Sequence, residues 1–478
     1  MTSFPSENSK WAPKSLSRSF LLVVLVAQLT ASTMATQPNL SGDWPTYGNG
    51  AAHTGYFPGT LNGLPFALKW KVPMPHAVIS QAAIGGGRVY FSVGDYYSAM
   101  TLRALDANTG LGVWTNALAS TVRVGPPTYD SGAVFMQQGD SVNPSYLKDY
   151  DAATGHTNWA ASFISQGYHY MAPVVAGGMV FTDTGYYHGL TGLNRSSGAQ
   201  QWFWQLGGSE QWAPAYYNGE IYVWLGSFSE YDPAIGTLNW NLTNGLSGGA
   251  SSRTVAIADG RAYFTSDSSL YAVNLALHTN AWSLSGPFSG TPAVANGIVY
   301  AVSNAVISAY TTNGIFVRSY DAATGGATLY GQLIVTDDVL IVGGSYGIYV
   351  FRLADGTIQQ YISSARPPYG IYYSSVISLA NNTLYVTSSD QNVYAYAATP
   401  TTAVALTNYA RLANGAFQFG FTNTPGATFS AWATTNPALA MSNWAFLGSI
   451  TQASPGLYQF TDAQATNTSR RFYRVRSP

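Results

Sequence analysis

A short apolar pair recurs about every 40 residues, a period that belongs to stacked or radial repeats and that leaves few folds open to the chain. The pairs are Val89-Tyr90, Val134-Phe135, Val180-Phe181, Ile221-Tyr222, Ala262-Tyr263, Val299-Tyr300, Leu340-Ile341 and Leu384-Tyr385, each after a small turn holding Gly, Asp or Asn. Ahead of most of them stands a run of alternating small and branched residues, as in Ala172-Pro173-Val174-Val175 or Thr291-Pro292-Ala293-Val294. Turns such as Ala176-Gly177-Gly178 and Ala295-Asn296-Gly297 separate the two, which is hairpin chemistry. A helical repeat would space its apolar residues by three and four, whereas these alternate.

The second half of each unit holds a polar residue, a turn, a glycine and, four residues later, a tryptophan. Asp106 and Gly110 lead to Trp114, Asp151 and Gly155 to Trp159, Asn194 and Gly198 to Trp202, and Asp232 and Gly236 to Trp240; Asn274 leads to Trp282 without the glycine. The spacing predicts a third strand, a tight turn needing positive φ, and a fourth strand whose indole fills the gap to the adjoining sheet. One unit is then a four-stranded blade, and the chain an all-β, eight-bladed propeller.

The eighth unit has Leu384-Tyr385-Val386 and Val393-Tyr394-Ala395-Tyr396 but no fourth strand before Thr399-Pro400. The segment from Ala67 to Val72, with Trp70 at its centre, has the character of the missing strand and precedes the first complete unit. Pairing it with the last blade would close the ring and remove two free sheet edges.

The run Ala104-Leu105-Asp106-Ala107-Asn108-Thr109-Gly110, followed by Trp114, resembles the tryptophan-docking motif of the pyrroloquinoline quinone repeat family. The resemblance spans roughly residues 40–398. Units six and seven depart from it: Gly314 is followed four residues on by Arg318 and Gly356 by Gln360, and Asp321 to Gly325 offers the sixth unit a second register. The family includes quinoprotein alcohol dehydrogenases and non-enzymatic relatives such as the propeller subunit of the outer-membrane β-barrel assembly machinery. The docking motif identifies the scaffold and not the chemistry, since its indole faces the next blade. The resemblance implies for the enzymes a disulfide of adjacent cysteines over the quinone, a calcium held by carboxylates and amides, and an aspartate base. This chain has no cysteine, and Glu210 is nearly the only acid in the segments leading into the blades. No cofactor is therefore expected; pyrroloquinoline quinone and calcium belong to the alternative reading, a quinoprotein dehydrogenase.

Lys10, Lys14 and Arg18 precede an apolar run from Phe20 to Ala27 and small residues through Ala35, the pattern of a secretory leader over residues 1–35. The run is far shorter than the roughly 20 residues of a membrane span. An exported protein is expected, in the periplasm, at the cell surface or outside the cell. A net charge of −1, with 20 Lys and Arg spread along the chain, leaves no footprint for nucleic acid. From 401 to 478 the period is lost: alternating segments around Phe417, Phe429, Trp444 and Tyr458, broken by Pro425-Gly426, Asn436-Pro437 and Pro455-Gly456, predict a small β-sandwich. It resembles C-terminal modules of large exported bacterial surface proteins, whose last strand has the form of Arg471 to Arg476. That strand reads either as a sorting or attachment element or as a plain final strand with Phe472 inside and Arg471 and Arg476 near solvent.

The six histidines, His53, His76, His156, His169, His188 and His278, lie in different units without ligand spacing and read as solvated loop residues. A better-motivated site is the funnel at one channel mouth, since propellers bind with the loops of one face. Just before the first strand of successive blades stand Arg123, His169, Tyr170, Gln211, Trp212, Arg253, Tyr330, Tyr372 and Tyr373. Aromatic rings and arginines there would suit a sugar, a peptide strand or an anion; the plainer reading is that they pack the blade ends. The expectation is a monomeric, non-catalytic binding or scaffolding propeller with a protein or glycan partner in the cell envelope, carbohydrate recognition being a further alternative.

Overall fold

The computed structural model describes residues 42–61, 64–74, 78–94, 99–118, 121–140, 144–163, 170–184, 189–206, 212–246, 254–322, 328–363, 377–398, 406–423, 429–437, 439, 443–454, 456–467 and 470–476. The leader expected over 1–35 lies outside them. Among the described residues no helix is long and apolar enough to cross a membrane.

Each repeat folds into an antiparallel sheet, and in blades 1 to 7 the strands follow chain order from the channel outward. Blade 1 comprises Ala83–Gly85, Arg88–Val93, Met100–Asp106 and Gly112–Leu118. Blades 2 to 7 begin at Thr128–Asp130, Val174–Ala176, Ala215–Tyr217, Ala256–Ala258, Ser289–Ala295 and Leu329–Val335. Blade 2 has an extra inner segment, Thr121–Val124, which pairs with the same second strand. Blade 8 holds Ile377–Ala380, Thr383–Ser388 and Asn392–Ala397, and its fourth strand is Ala67–Pro73 from the far end of the sequence. That pairing runs from Ala67 opposite Ala397 to Pro73 opposite Asn392, as the missing strand required. Each blade's first strand touches the first strand of the next, and the eighth touches the first, so the sheets form a ring.

The core lies between blades, because a twisted sheet presents two faces and each must be covered. Second and third strands are almost wholly buried, as in Val339–Gly344, while outer strands alternate between exposed and covered residues, as in Thr279–Ser285.

The indoles latch neighbouring blades by one repeated geometry. Trp70, Trp114, Trp159, Trp202 and Trp282 each donate Nε1–H to a carbonyl in the next blade's turn, those of Ala107, Ala152, Arg195, Pro233 and Thr312, at 2.8–3.1 Å. The ring then lies flat on the turn glycine: a Cβ on Gly155, whose φ is +76°, would sit 2.7 Å from Trp114. Glycine is thus required there twice, by backbone conformation and by the approach of the indole. Where His278 replaces the glycine, Trp240 stacks on the imidazole at 4.5 Å. The sixth unit uses the first of its two registers, with Gly314 between Val306–Thr311 and Phe316–Asp321. In its outer strand Tyr320 assumes the role of the missing indole and donates its hydroxyl to Leu353 O at 3.2 Å.

The C-terminal segment is a two-sheet sandwich. Thr407–Arg411, Phe417–Thr422, Leu457–Asp462 and Thr451–Ser454 form one sheet, and Ala445–Ser449, Ser430–Thr434 and Phe472–Arg476 the other. Phe419, Phe421, Phe429 and Tyr458 fill the space between them. The last strand is one residue out of the expected phase. Tyr473 and Val475 pack on this core, and Arg471 pairs at 3.1 Å with Asp462, whose side chain is only 3 % exposed. The tyrosine hydroxyl and the arginine both satisfy that one carboxylate, which fixes the phase.

Candidate functional site

The first strand of a blade has a sheet neighbour on one side only, so its other backbone groups point into the channel and need partners. At one end of the channel the segment 42–61 supplies them. The amides of Ile84, Tyr129, Tyr216, Ile257, Val294 and Val335, in blades 1, 2, 4, 5, 6 and 7, donate to the carbonyls of Trp44, Pro45, Ala51, Ala52, Thr54 and Gly55 at 2.8–2.9 Å. This strap crosses the channel. Tyr47 donates or accepts at Thr291 Oγ1 over 2.8 Å, and Thr46 meets Thr128 Oγ1 at 2.7 Å.

His53 lies at the middle of the strap and is 1 % exposed, contrary to the expectation of solvated histidines. Its Nδ1 is 2.7 Å from Tyr47 O and its Nε2 2.8 Å from Pro214 O, so the ring bridges the strap to blade 4. Burial pulls the imidazole below its ordinary 6.5, while the two carbonyls work in the opposite direction. His156 and His278 are exposed as expected, and His76, His169 and His188 lie outside the described residues.

The funnel was expected at a channel mouth, just before the first strands. Of its nine residues, His169, Gln211, Arg253, Tyr372 and Tyr373 lie outside the described residues. Tyr170 is 4 % exposed, edge-on to Phe163 at 5.9 Å, with its hydroxyl 3.3 Å from Ser145 Oγ. Trp212 is 1 % exposed and packs with Val174, Phe181 and Ile221 between blades 3 and 4. These two rings are blade-end packing, and neither offers a free face for stacking: the adjoining blade covers them. Arg123 is half-buried in the extra segment of blade 2, opposite Gly139. Tyr330 sits in the first strand of blade 7 opposite Gly343.

What the structure brings together near this mouth is a set of amides and hydroxyls. Gln81 Nε2 donates to Gln332 Oε1 at 3.3 Å, and Ser378 Oγ donates to Ala82 O at 2.7 Å, tying blades 1, 7 and 8. All three side chains are buried. The signal that could have found them is a polar residue at an inward position of a first strand, as in Ser80-Gln81-Ala82 and Gly331-Gln332-Leu333. A calcium beside a quinone asks for carboxylate ligands and an exposed ring to stack on. Gln81, Gln332 and Ser378 supply no carboxylate, and Tyr170 and Trp212 no exposed ring, so these residues do not fit that pair.

Sheets in a ring, latched by indoles and closed by an N-terminal strand, define a propeller of pyrroloquinoline-quinone-like repeats. Residues 67–162, 143–282 and 229–410 match the family described as outer membrane protein assembly factor BamB, and the chain belongs to that family. In fold it is similar to BamB from Moraxella catarrhalis, with TM-score 0.53 and 16% identity over 70% of this chain and 100% of that one. The computationally designed Ika8 protein gives TM-score 0.56 and 14% identity over 69% and 99%. The quinohemoprotein alcohol dehydrogenase from Comamonas testosteroni gives 0.59 and 13% over 74% and 80%. No curated protein matches the chain.

Proposed function

We propose that the protein is an exported, non-catalytic binding scaffold that engages a protein partner of the cell envelope. The observation that carries this reading is the site chemistry. One channel end is occupied by the strap, which leaves the other for a partner, and the polar side chains drawn together there from blades 1, 7 and 8, Gln81, Gln332 and Ser378, are amides and a hydroxyl, groups suited to hydrogen bonding rather than to proton transfer. Membership of a family described by outer membrane protein assembly supports a partner of that kind, and the leader expected over residues 1–35 supports export. The segments that precede the first strands in sequence, those of Arg253, Tyr372 and Tyr373 among them, are the positions at which a partner would dock.

The test is capture from envelope extract on the immobilised full-length mature chain, alongside a dye-reduction assay with added quinone and calcium. The reading expects one or a few partners retained by the intact chain and lost on joint replacement of Arg253, Tyr372 and Tyr373 by alanine, with no saturable turnover of alcohols or sugars. Saturable turnover, or retention indifferent to those changes, contradicts it.

A further inference from the structure

The two outer faces of the C-terminal sandwich differ in chemistry. On the four-stranded sheet Gln418 Nε2 donates to Thr461 Oγ1 at 2.9 Å across neighbouring strands, and one exposed ring, Tyr409, stands on the edge strand. On the three-stranded sheet, Ala431 and Ala433 are buried, which turns Ser430, Trp432 and Thr434 outward. Trp432 lies directly opposite Phe446 on one side and Arg474 on the other, so three adjacent strands carry a row of Phe, Trp and Arg. Phe446 is 58 % exposed. Its ring meets Trp432 at 5.2 Å and 62°. Trp432 Nε1 donates to Ser430 Oγ at 3.0 Å, and the Arg474 guanidinium lies 5.0 Å over Trp444, so both side chains are held in place. The three strands, AFLGS, SAWAT and FYRVR, contain no acid and two arginines.

We propose that this face binds an acidic polysaccharide of uronic-acid type, a second site independent of the propeller's partner. A pyranose packs its C–H face on an aromatic ring while a uronate carboxylate takes the planar fork of arginine. Neighbouring strands are about 4.8 Å apart, so the row spans about 10 Å, the reach of two linked sugar rings. The absence of acids on the three strands makes the face complementary to a polyanion, and the fixed rings lower the ordering cost of binding. A neutral glycan would leave Arg474 unused, and a bare polyanion would leave the rings unused.

The experiment measures binding of the full-length mature chain to polygalacturonate, dextran and dextran sulfate by affinity electrophoresis, with light scattering for its oligomeric state. Polygalacturonate should retard the protein, less so at higher salt, and dextran should not. Arg474→Gln and Phe446→Ala should each weaken the interaction by about tenfold. Both side chains are exposed, so the variants should keep the parent's circular dichroism and melting temperature; Trp432→Leu provides a third readout if either does not. Equal binding to dextran, stronger binding to dextran sulfate than to polygalacturonate, binding unaffected by the substitutions, or no binding to polygalacturonate overturns the proposal. A dimer dissolved by Phe446→Ala also overturns it, since a second copy would then cover the face.

Discussion

Trp70 donates its indole N–H to the carbonyl of Ala107 at 3.1 Å, 37 residues along the chain. Trp70 belongs by hydrogen bonding to the last blade and Ala107 to the first. The contact therefore closes the ring a second time, by side-chain docking beside strand pairing. The same carbonyl accepts the Tyr385 hydroxyl at 3.1 Å, so both members of the final sheet grip the first turn.

Loss of a latch should be costly and should depend on how much ring it removes. Trp70→Ala, at a site 8 % exposed, is expected to destabilise the propeller by about 3 kcal/mol through cavity formation and loss of the bond to Ala107. Gly155→Ala should cost at least about 1 kcal/mol because its φ is positive and Trp114 occupies the space. Urea unfolding of the two variants measures both, and a cost near zero for either contradicts the latch.

The strap should protect the amides whose protons it receives. Removal of residues 42–58 is expected to speed hydrogen exchange at Ile84, Tyr129, Tyr216, Ile257, Val294 and Val335, while second-strand amides such as that of Leu340 stay protected. His53→Ala should act the same way more weakly, lowering stability by about 2 kcal/mol through loss of the bridge to Pro214. Uniform loss of protection across all strands would show that the strap instead holds the whole ring together.

The docking turns confer an acid limit. Asp106 is held below its ordinary 3.8 by bonds from the Thr109 hydroxyl and amide, and Asp151 likewise by Thr154. A carboxylate with a depressed folded pKa stabilises the native state above its unfolded value, and that stability is lost as pH falls through the folded value. The melting temperature should therefore drop on going from about pH 5 to about pH 3, and the double change Asp106→Asn, Asp151→Asn should flatten that drop. An unchanged slope in the double variant contradicts the assignment.

Much of the ring was legible because its signals are local. Asp106, Gly110 and Trp114 sit at fixed spacing, and a turn needing positive φ leaves a glycine visible in sequence. The closing strand was legible by subtraction, since blade 8 lacked a partner that Trp70 could complete. Tyr320 was not, because it stands two residues beyond the expected indole on the same strand face as Arg318, and period two cannot choose between them. The strap carries no side-chain signature either, for it works through backbone carbonyls. Tyr170 and Trp212 precede their strands as mouth residues would, but their burial comes from the neighbouring blade, through Phe163 and Ser145 for the first and Val174 and Phe181 for the second, a property of the assembled ring. In the last strand, the pairing of Arg471 with Asp462 decided a phase that alternation alone left one residue off.

The ring's closure is most directly tested by a crosslink at its seam. Ala67 and Ala397 face each other across the final strand pair, opposed antiparallel residues have Cα atoms about 4.5–5.5 Å apart, and a disulfide spans about 4.4–6.8 Å. The chain has no cysteine of its own, so Ala67→Cys with Ala397→Cys can form one bond only. Mild oxidation of the folded double variant should link the two peptides in a proteolytic map, while Ala67→Cys with Ala395→Cys, displaced by two residues, should link poorly. Free thiols in the first pair under conditions where the protein is folded, or equal linkage in both, would contradict a propeller closed by its own N-terminal strand.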